Sequence, residues 1–327
     1  MKAVLVEKAG GPENMRIGNY PNPEPQAQEI LVRVAATALN RADTLQRQGK
    51  YPPPPGASPI LGLEIAGEVV ELGSKVTQWQ LGDKVFGLVP GGAYAEYAVI
   101  HENMAMLIPE RLSFQEAAAI PEVFLTAYQS LVWLGNIQAG EQVLIHAAAS
   151  GVGTAAIQIA RELGAGKVLA TASGNKHQIC YDLGADKVID YQHEDFAEVI
   201  QAYTQNQGVD IILDFIAAPY FQKNIQSLNR DGRLIILALM GGTQLADFNL
   251  APLLLKRLQV IGSTLRSRSL EYQIRLTKVL EKFILPKLQE GRIKPIIDSV
   301  YPWTQVSEAH TYMENNRNLG KIILEID

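Results

Sequence analysis

The sequence predicts an α/β protein of two domains, a small β-rich barrel followed by a doubly wound parallel sheet. Three observations carry that expectation. The chain has 327 residues, which at ~150 residues per domain favours two. Residues 1–110 alternate short apolar stretches with glycine and proline turns, whereas strand and helix signals alternate beyond residue 123. A run of small residues, 147–153, stands between the first strand and the first helix of that second part.

In the first part the corners are Gly10-Gly11-Pro12, the prolines between 21 and 25, Gly73-Ser74, Gly82-Asp83 and Pro90-Gly91-Gly92. Strands so closely spaced, with glycine at the turns, predict a barrel. Pro52, Pro53, Pro54 and Pro55 can enter neither a helix nor a central strand, so they predict a stiff surface segment. In the second part residues 142–146 read as a buried strand and 154–163 as a helix. Segments 167–171, 187–190, 211–214, 233–237 and 259–263 repeat the strand signal. Alternation of this kind implies parallel strands joined by helical crossovers. Residues 271–289 form a long amphipathic helix, with Ile274, Val279, Leu280, Ile284 and Leu288 near helical spacing. A last strand, 321–326, ends the chain, and its domain is left open by the sequence.

Composition narrows the function. With 47% hydrophobic and 19% charged residues the chain is too apolar to be disordered. A net charge of −5 offers no basic field for a nucleic-acid backbone. The lone Cys180 excludes an internal disulfide and any zinc site needing two thiolates. Lys2 and Glu7 interrupt the first residues, so no secretory apolar core is expected there, and no apolar run nears the ~20 residues that span a bilayer. A cytoplasmic protein with no membrane partner is expected.

Ala147-Ala148-Ala149-Ser150-Gly151-Val152-Gly153 lies where a dinucleotide-binding fold places its pyrophosphate turn. Small residues let the backbone approach phosphate, whose charge the helix N-terminus holds. In the G-x-G-x-x-G pattern the glycine positions fall on Ala148, Ser150 and Gly153, so only the last is kept, and a plain strand-to-helix turn is the alternative. The repeating strands downstream favour nucleotide. NAD-selective enzymes carry an acid ~20 residues past the glycines, to hold the ribose. Here that stretch is Ser173-Gly174-Asn175-Lys176, which suits the 2′-phosphate of NADPH, the alternative being that Lys176 is a solvated lysine.

Longer stretches carry a resemblance. They include Ala38-Leu39-Asn40-Arg41-Ala42-Asp43, Leu61-Gly62-Leu63-Glu64, Ala119-Ile120-Pro121-Glu122, Ser150-Gly151-Val152-Gly153-Thr154, Leu265-Arg266-Ser267-Arg268 and Gly320-Lys321-Ile322. In these the chain resembles the zinc-free medium-chain dehydrogenases/reductases of the quinone oxidoreductase family. The resemblance implies a GroES-like β-barrel catalytic domain, residues 1–122 and 266–327, with a Rossmann NADPH-binding domain, 123–265, inserted. It also implies a homodimer, NADPH as reductant and quinones as acceptors.

Carried over by position, Asn40 stands where zinc-dependent relatives have a cysteine and Leu63 where they keep a histidine, so no metal is expected. The five histidines, His101, His146, His177, His193 and His310, show no ligand spacing. The resemblance puts Tyr51, Ser150 and Asn40 at the reacting end. It puts Asn40, Thr126, Ser150, Gly151, Val152, Gly153, Phe215, Leu239, Met240, Thr264 and Asn318 along the cofactor, with Ser173, Gly174, Lys176 and Tyr191 at its 2′-phosphate. Each has a plainer reading: Tyr51 packing on its proline tract, Ser150 tolerated in its turn, Tyr191 capping a core, Asn318 shaping a turn. The rival functions are an NADPH-dependent reductase of activated C=C bonds and a non-catalytic, crystallin-like NADPH-binding protein.

Overall fold

Strands covered on both faces read as unbroken apolar runs, and such strands form the middle of a sheet of six parallel strands in the computed structural model, which describes residues 1–327. Across the sheet they run Lys187–Asp190, Lys167–Ala172, Gln142–Ile145, Val209–Asp214, Leu228–Ile236, Gln259–Gly262. The chain starts mid-sheet, winds outward, returns beside its first strand and winds the other way. The reversal falls between Gln142–Ile145 and Val209–Asp214, where open α/β sheets bind ligands at the carboxyl ends of their strands. Leu144, Leu169, Ile189, Ile212 and Leu234 fill one face, against Phe196, Ile200, Phe221 and Ile225 from the covering helices.

The chain divides into two compact units, Met1–Leu125 with Arg266–Asp327, and Thr126–Leu265. In the first, Glu29–Ala38 is central: it pairs antiparallel with Glu64–Leu72, Tyr97–His101 and the last strand, Lys321–Glu325. The sheet continues through Lys84–Leu88 to Ala105–Leu107 on one side and Ile297–Pro302 on the other. The C-terminal strand therefore belongs to the N-terminal unit. Residues Pro52–Pro54 carry no regular structure and lie at the surface.

Two elements depart from expectation. The helix placed at 154–163 begins earlier, as Gly151–Glu162, because the Ser150 hydroxyl accepts from the Gly153 amide at 3.1 Å and caps it. In the long helix, Leu270–Glu290, the buried stripe is Leu276, Leu280, Ile284 and Leu288, one residue every turn. Val279, expected on that stripe, sits ~100° around the axis from Leu280 and is 40% exposed. That helix ends at Gly291, whose φ of +76° is the left-handed cap a side chain resists. A six-residue π-helical segment, Gln129–Leu134, had no counterpart in the sequence reading.

Candidate active site

In the unit Thr126–Leu265, the turn after Gln142–Ile145 is tightly made. Ala147 takes a left-handed φ of +46°, a strain met where chain geometry overrides preference. A Cβ on Gly153 would stand 2.5 Å from the Ala148 carbonyl oxygen and 2.6 Å from that of Ala147, so only glycine fits. Gly151 and Val152 head the helix, where backbone amides have no intrahelical acceptor and the dipole favours an anion. The Ser150 hydroxyl is already used as the cap.

A buried network fixes this turn to the next strand. His146 Nε2 lies 2.8 Å from Asn224 Oδ1, while Asn224 Nδ2 donates to Asp214 Oδ2 at 2.9 Å. The Asn224 oxygen therefore accepts, which puts the proton of a neutral His146 on Nε2 and lets Nδ1 accept from the Thr171 hydroxyl at 3.0 Å. Burial pushes the His146 pKa down, in keeping with that neutral form. Asp214 also accepts from the amides of Ile216 and Ala217. Phe215 is buried, and its carbonyl accepts from Met240 at 3.1 Å, tying the loop after one strand to the loop after the next. On that loop Leu239 and Met240 are about half-exposed, an apolar surface at the carboxyl ends of the strands. Thr264 is exposed, and Thr126, in the helix Pro121–Tyr128, is partly so.

Ser173, Gly174 and Lys176 follow the strand Lys167–Ala172. The Ser173 hydroxyl donates to Asn175 Oδ1 at 3.0 Å. Tyr191 is 45% exposed beside Asp190, whose carboxylate faces Gly174. Asp190 accepts from His193 Nδ1 and the Gln192 amide, and the His193 bond first of all holds its pKa below the usual range.

In the unit Met1–Leu125 with Arg266–Asp327, Asn40 sits at the end of the Glu29–Ala38 strand, before the helix Arg41–Arg47. Its amide is used at both ends: Nδ2 donates to Glu64 Oε1 at 2.8 Å, and Oδ1 accepts from Lys321 Nζ at 2.8 Å. Lys321 also donates to Glu64 Oε1 and to the Leu39 carbonyl, each at 2.8 Å. Glu64 Oε2 accepts from the Glu122 amide at 2.9 Å. Asp43 lies behind, accepting from the amides of Asn40 and Gly62 and from the Tyr94 hydroxyl. Burial raises Asp43 to about 6 and Glu122 to about 8, the latter aided by the negative charge of Glu64. Tyr51 is half-buried, with the Arg266 guanidinium carbon 5.4 Å from its ring centre and its hydroxyl making no hydrogen bond. Asn318 donates to the Gly320 carbonyl at 2.9 Å, in the turn before the last strand.

Residues 26–110 match the family of alcohol dehydrogenase GroES-like domains, and residues 151–282 that of zinc-binding dehydrogenases. Quinone oxidoreductase of Homo sapiens is 33% identical over 328 residues, spanning 99% of this chain and 97% of its own. The chain belongs to the quinone oxidoreductase family of medium-chain dehydrogenases/reductases. Among solved structures, Escherichia coli quinone oxidoreductase complexed with NADPH superposes with TM-score 0.89 and 30% identity, covering 99% of this chain and 100% of that one. CurK enoyl reductase gives 0.88 and 29%, covering 100% and 99%. The expected pairing of a GroES-like domain with a Rossmann sheet is the fold of this family.

Within the family, the zinc-binding branch sets the question of a metal. The residues here do not fit one. Leu63 has no lone pair to give, the Asn40 amide is engaged on both sides, and Glu64 is held by an ammonium. His146 and His310 are buried in separate units, and no three His, Cys, Asp or Glu residues group as ligands. The sequence reading gave no role to Glu122, Lys321, Asp43 or Arg266. Their signal was present: a charge inside an apolar run, as in Gly320-Lys321-Ile322 or Leu63-Glu64-Ile65, is rarely tolerated unless paired.

Proposed function

We propose that the chain is a zinc-independent, NADPH-dependent quinone reductase. The observation that carries this reading is the 171–176 segment, in a chain related along its whole length to quinone oxidoreductases. The strand Lys167–Ala172 leads into Ser173, Gly174 and Lys176 with no carboxylate of its own, a set that suits a 2′-phosphate. Asp190, the carboxylate beside it, is turned into its own loop by His193 and Gln192.

On this reading Gly151, Val152 and Gly153 hold the pyrophosphate and Ser173, Gly174, Lys176 and Tyr191 the 2′-phosphate. Phe215, Leu239, Met240 and Thr264 lie along the nicotinamide half, with Thr126, Asn40 and Asn318. When bound, NADPH supplies the hydride. The protein's own part is positional. Tyr51 offers a hydroxyl with no other partner to the acceptor oxygen. Asn40, clamped between Lys321 and Glu64, presents a fixed amide face and moves no proton. Ser150 caps the helix and lines the turn. Residues 1–122 with 266–327 form the catalytic domain and 123–265 the cofactor domain.

We also propose a cytoplasmic homodimer. Gln259–Gly262 is an edge strand with Val260 exposed, and the nearby Leu254 and Leu255 are 80% and 72% exposed, a surface that a second copy would cover. No helix is long and apolar enough to cross a membrane. The likeness to CurK enoyl reductase favours a second reading, reduction of activated C=C bonds. A crystallin-like binder that turns nothing over is the non-enzymatic rival.

NADPH oxidation, followed by absorbance with an ortho-quinone, a para-quinone and an enone, separates the three. Turnover of the quinones at well above the enone rate is expected. Enone turnover alone selects the second reading, and cofactor binding without turnover selects the third.

A further inference from the structure

Asp214 ends the strand Val209–Asp214 with its carboxylate fully buried. Oδ1 accepts from the Ile216 amide at 2.7 Å, and the Ala217 amide is shared between both oxygens at 3.2 Å each. Asn224 Nδ2 reaches Oδ2 at 2.9 Å, and His146 Nε2 donates to the Asn224 oxygen, which keeps the amide nitrogen turned toward Asp214. The turn so gripped is strained. Ala217 has φ +68° and ψ −115°, a region that glycine enters freely and a side chain resists. Such strain persists only where the surroundings over-determine it, and here one carboxylate pins two successive backbone amides.

The same turn carries its neighbour. The Phe215 and Ile216 carbonyls accept from the Met240 and Gly241 amides at 3.1 and 2.9 Å, and the Gly242 carbonyl accepts from the Ala218 amide at 3.3 Å. A Cβ on Gly241 would stand 2.8 Å from the Ile216 carbonyl oxygen, so the two loops lie against each other. Leu239 and Met240, about half-exposed on the second loop, are thus placed by the carboxylate through the turn it grips. We infer that Asp214 is a positioning residue for the nicotinamide half of the cofactor: it holds residues 215–218, and through them 239–242, in the shape that half requires. This inference rests on the reading that sets Phe215, Leu239 and Met240 along the nicotinamide. Ser173, Gly174 and Lys176 follow a different strand, Lys167–Ala172, so the adenosine half does not depend on this turn.

The test titrates the whole chain calorimetrically with NADPH and with 2′,5′-ADP, which carries the adenosine half alone. Asp214→Ala is expected to weaken NADPH about tenfold and leave 2′,5′-ADP nearly unchanged. Asp214→Asn, which keeps an oxygen for the two amides, is expected to recover most of the NADPH affinity. Ala217→Gly added to Asp214→Ala should do the same, because glycine takes that φ without help. Equal loss of both ligands overturns the inference, since it reports a general structural defect. No loss, or no recovery with glycine, overturns it as well. Should Asp214→Ala not fold, Asn224→Ala leaves the carboxylate its two amides and carries the same comparison. A smaller loss confined to NADPH is then expected, and a loss shared by both ligands, or none, overturns the inference. A parent protein that binds neither ligand removes the cofactor reading itself, and the inference with it. One that binds both, with variants that do not discriminate, removes the inference alone.

Discussion

Lys321 Nζ lies 2.8 Å from Glu64 Oε1, and both side chains are buried. The pair joins the last strand to the strand Glu64–Leu72 across 257 residues of sequence and grips Asn40 between them. Removing one member leaves the other charge buried and unpaired, which costs ~3–5 kcal/mol. Lys321→Met should therefore lower unfolding free energy by about that much, measured by urea denaturation. Adding Glu64→Gln should recover part of the loss, since no full charge is then stranded. A Lys321→Met protein within about 1 kcal/mol of the parent would mean the pair is well hydrated.

The cofactor prediction concerns Lys176 and Gly153. Charge-assisted contacts to a phosphate contribute ~1.5–3 kcal/mol each, at least about tenfold in affinity. Lys176→Ala is expected to weaken NADPH binding by that factor and leave NADH nearly unchanged, by fluorescence titration. Gly153→Ala drives a methyl into two backbone oxygens, neither of which can give way, and should weaken both cofactors together. Equal titration curves for NADPH and NADH in the parent protein would remove the basis for the 2′-phosphate site.

Much of this was legible in the sequence, for a physical reason. Buried parallel strands are apolar on both faces, so 142–146, 167–171 and 187–190 announce themselves without any partner in view. The start of the Gly151–Glu162 helix was not legible, because glycines read as breakers until the Ser150 cap is seen to hold them. Nor could spacing reveal that Lys321 answers Glu64, or that Arg266 reaches Pro90: such pairings depend on which strands become neighbours, and no local pattern encodes that. The charges themselves could be noticed. Their partners could not.

Metal content follows from Asn40, Leu63 and the Lys321–Glu64 pair. Turnover should survive a chelator such as EDTA, and elemental analysis of purified protein should find far less than one zinc per chain. About one zinc per chain would show that other residues rearrange to bind it.

The pH dependence of stability should report Glu122. Its carboxyl is raised from 4.5 to about 8 by burial first and by Glu64 next, with Asp43 adding and Lys321 and Arg266 opposing. Between those values the folded chain keeps a proton that the unfolded chain has lost, so the group's contribution falls as pH rises from about 4.5 to 8. Glu122→Gln resembles the protonated carboxyl and does not titrate. Its melting temperature is expected to match the parent near pH 4.5 and to exceed it increasingly up to pH 8. Parallel curves across that range would show that Glu122 titrates normally.

Tyr51 decides how the acceptor is polarised. The four prolines that follow it stiffen the backbone, so its ring is aimed with little entropy to lose, and Arg266 supports one face. Burial and the nearby Glu122 raise its pKa, which keeps the phenol protonated and able to donate. The quinone is already electron-poor, and water can protonate the released hydroquinone, so the phenol orients and polarises without being an obligatory acid. A single preorganised donor is worth up to ~10²–10³ in rate, and an activated acceptor needs less. Tyr51→Phe is expected to lower kcat/KM about tenfold or less, with NADPH affinity unchanged. Tyr51→Ala should cost more, because it removes the ring that stands over Arg266 as well as the hydroxyl and opens the space to water. Abolished turnover in Tyr51→Phe would make the tyrosine an essential acid, and unchanged kinetics in both variants would make it a packing residue.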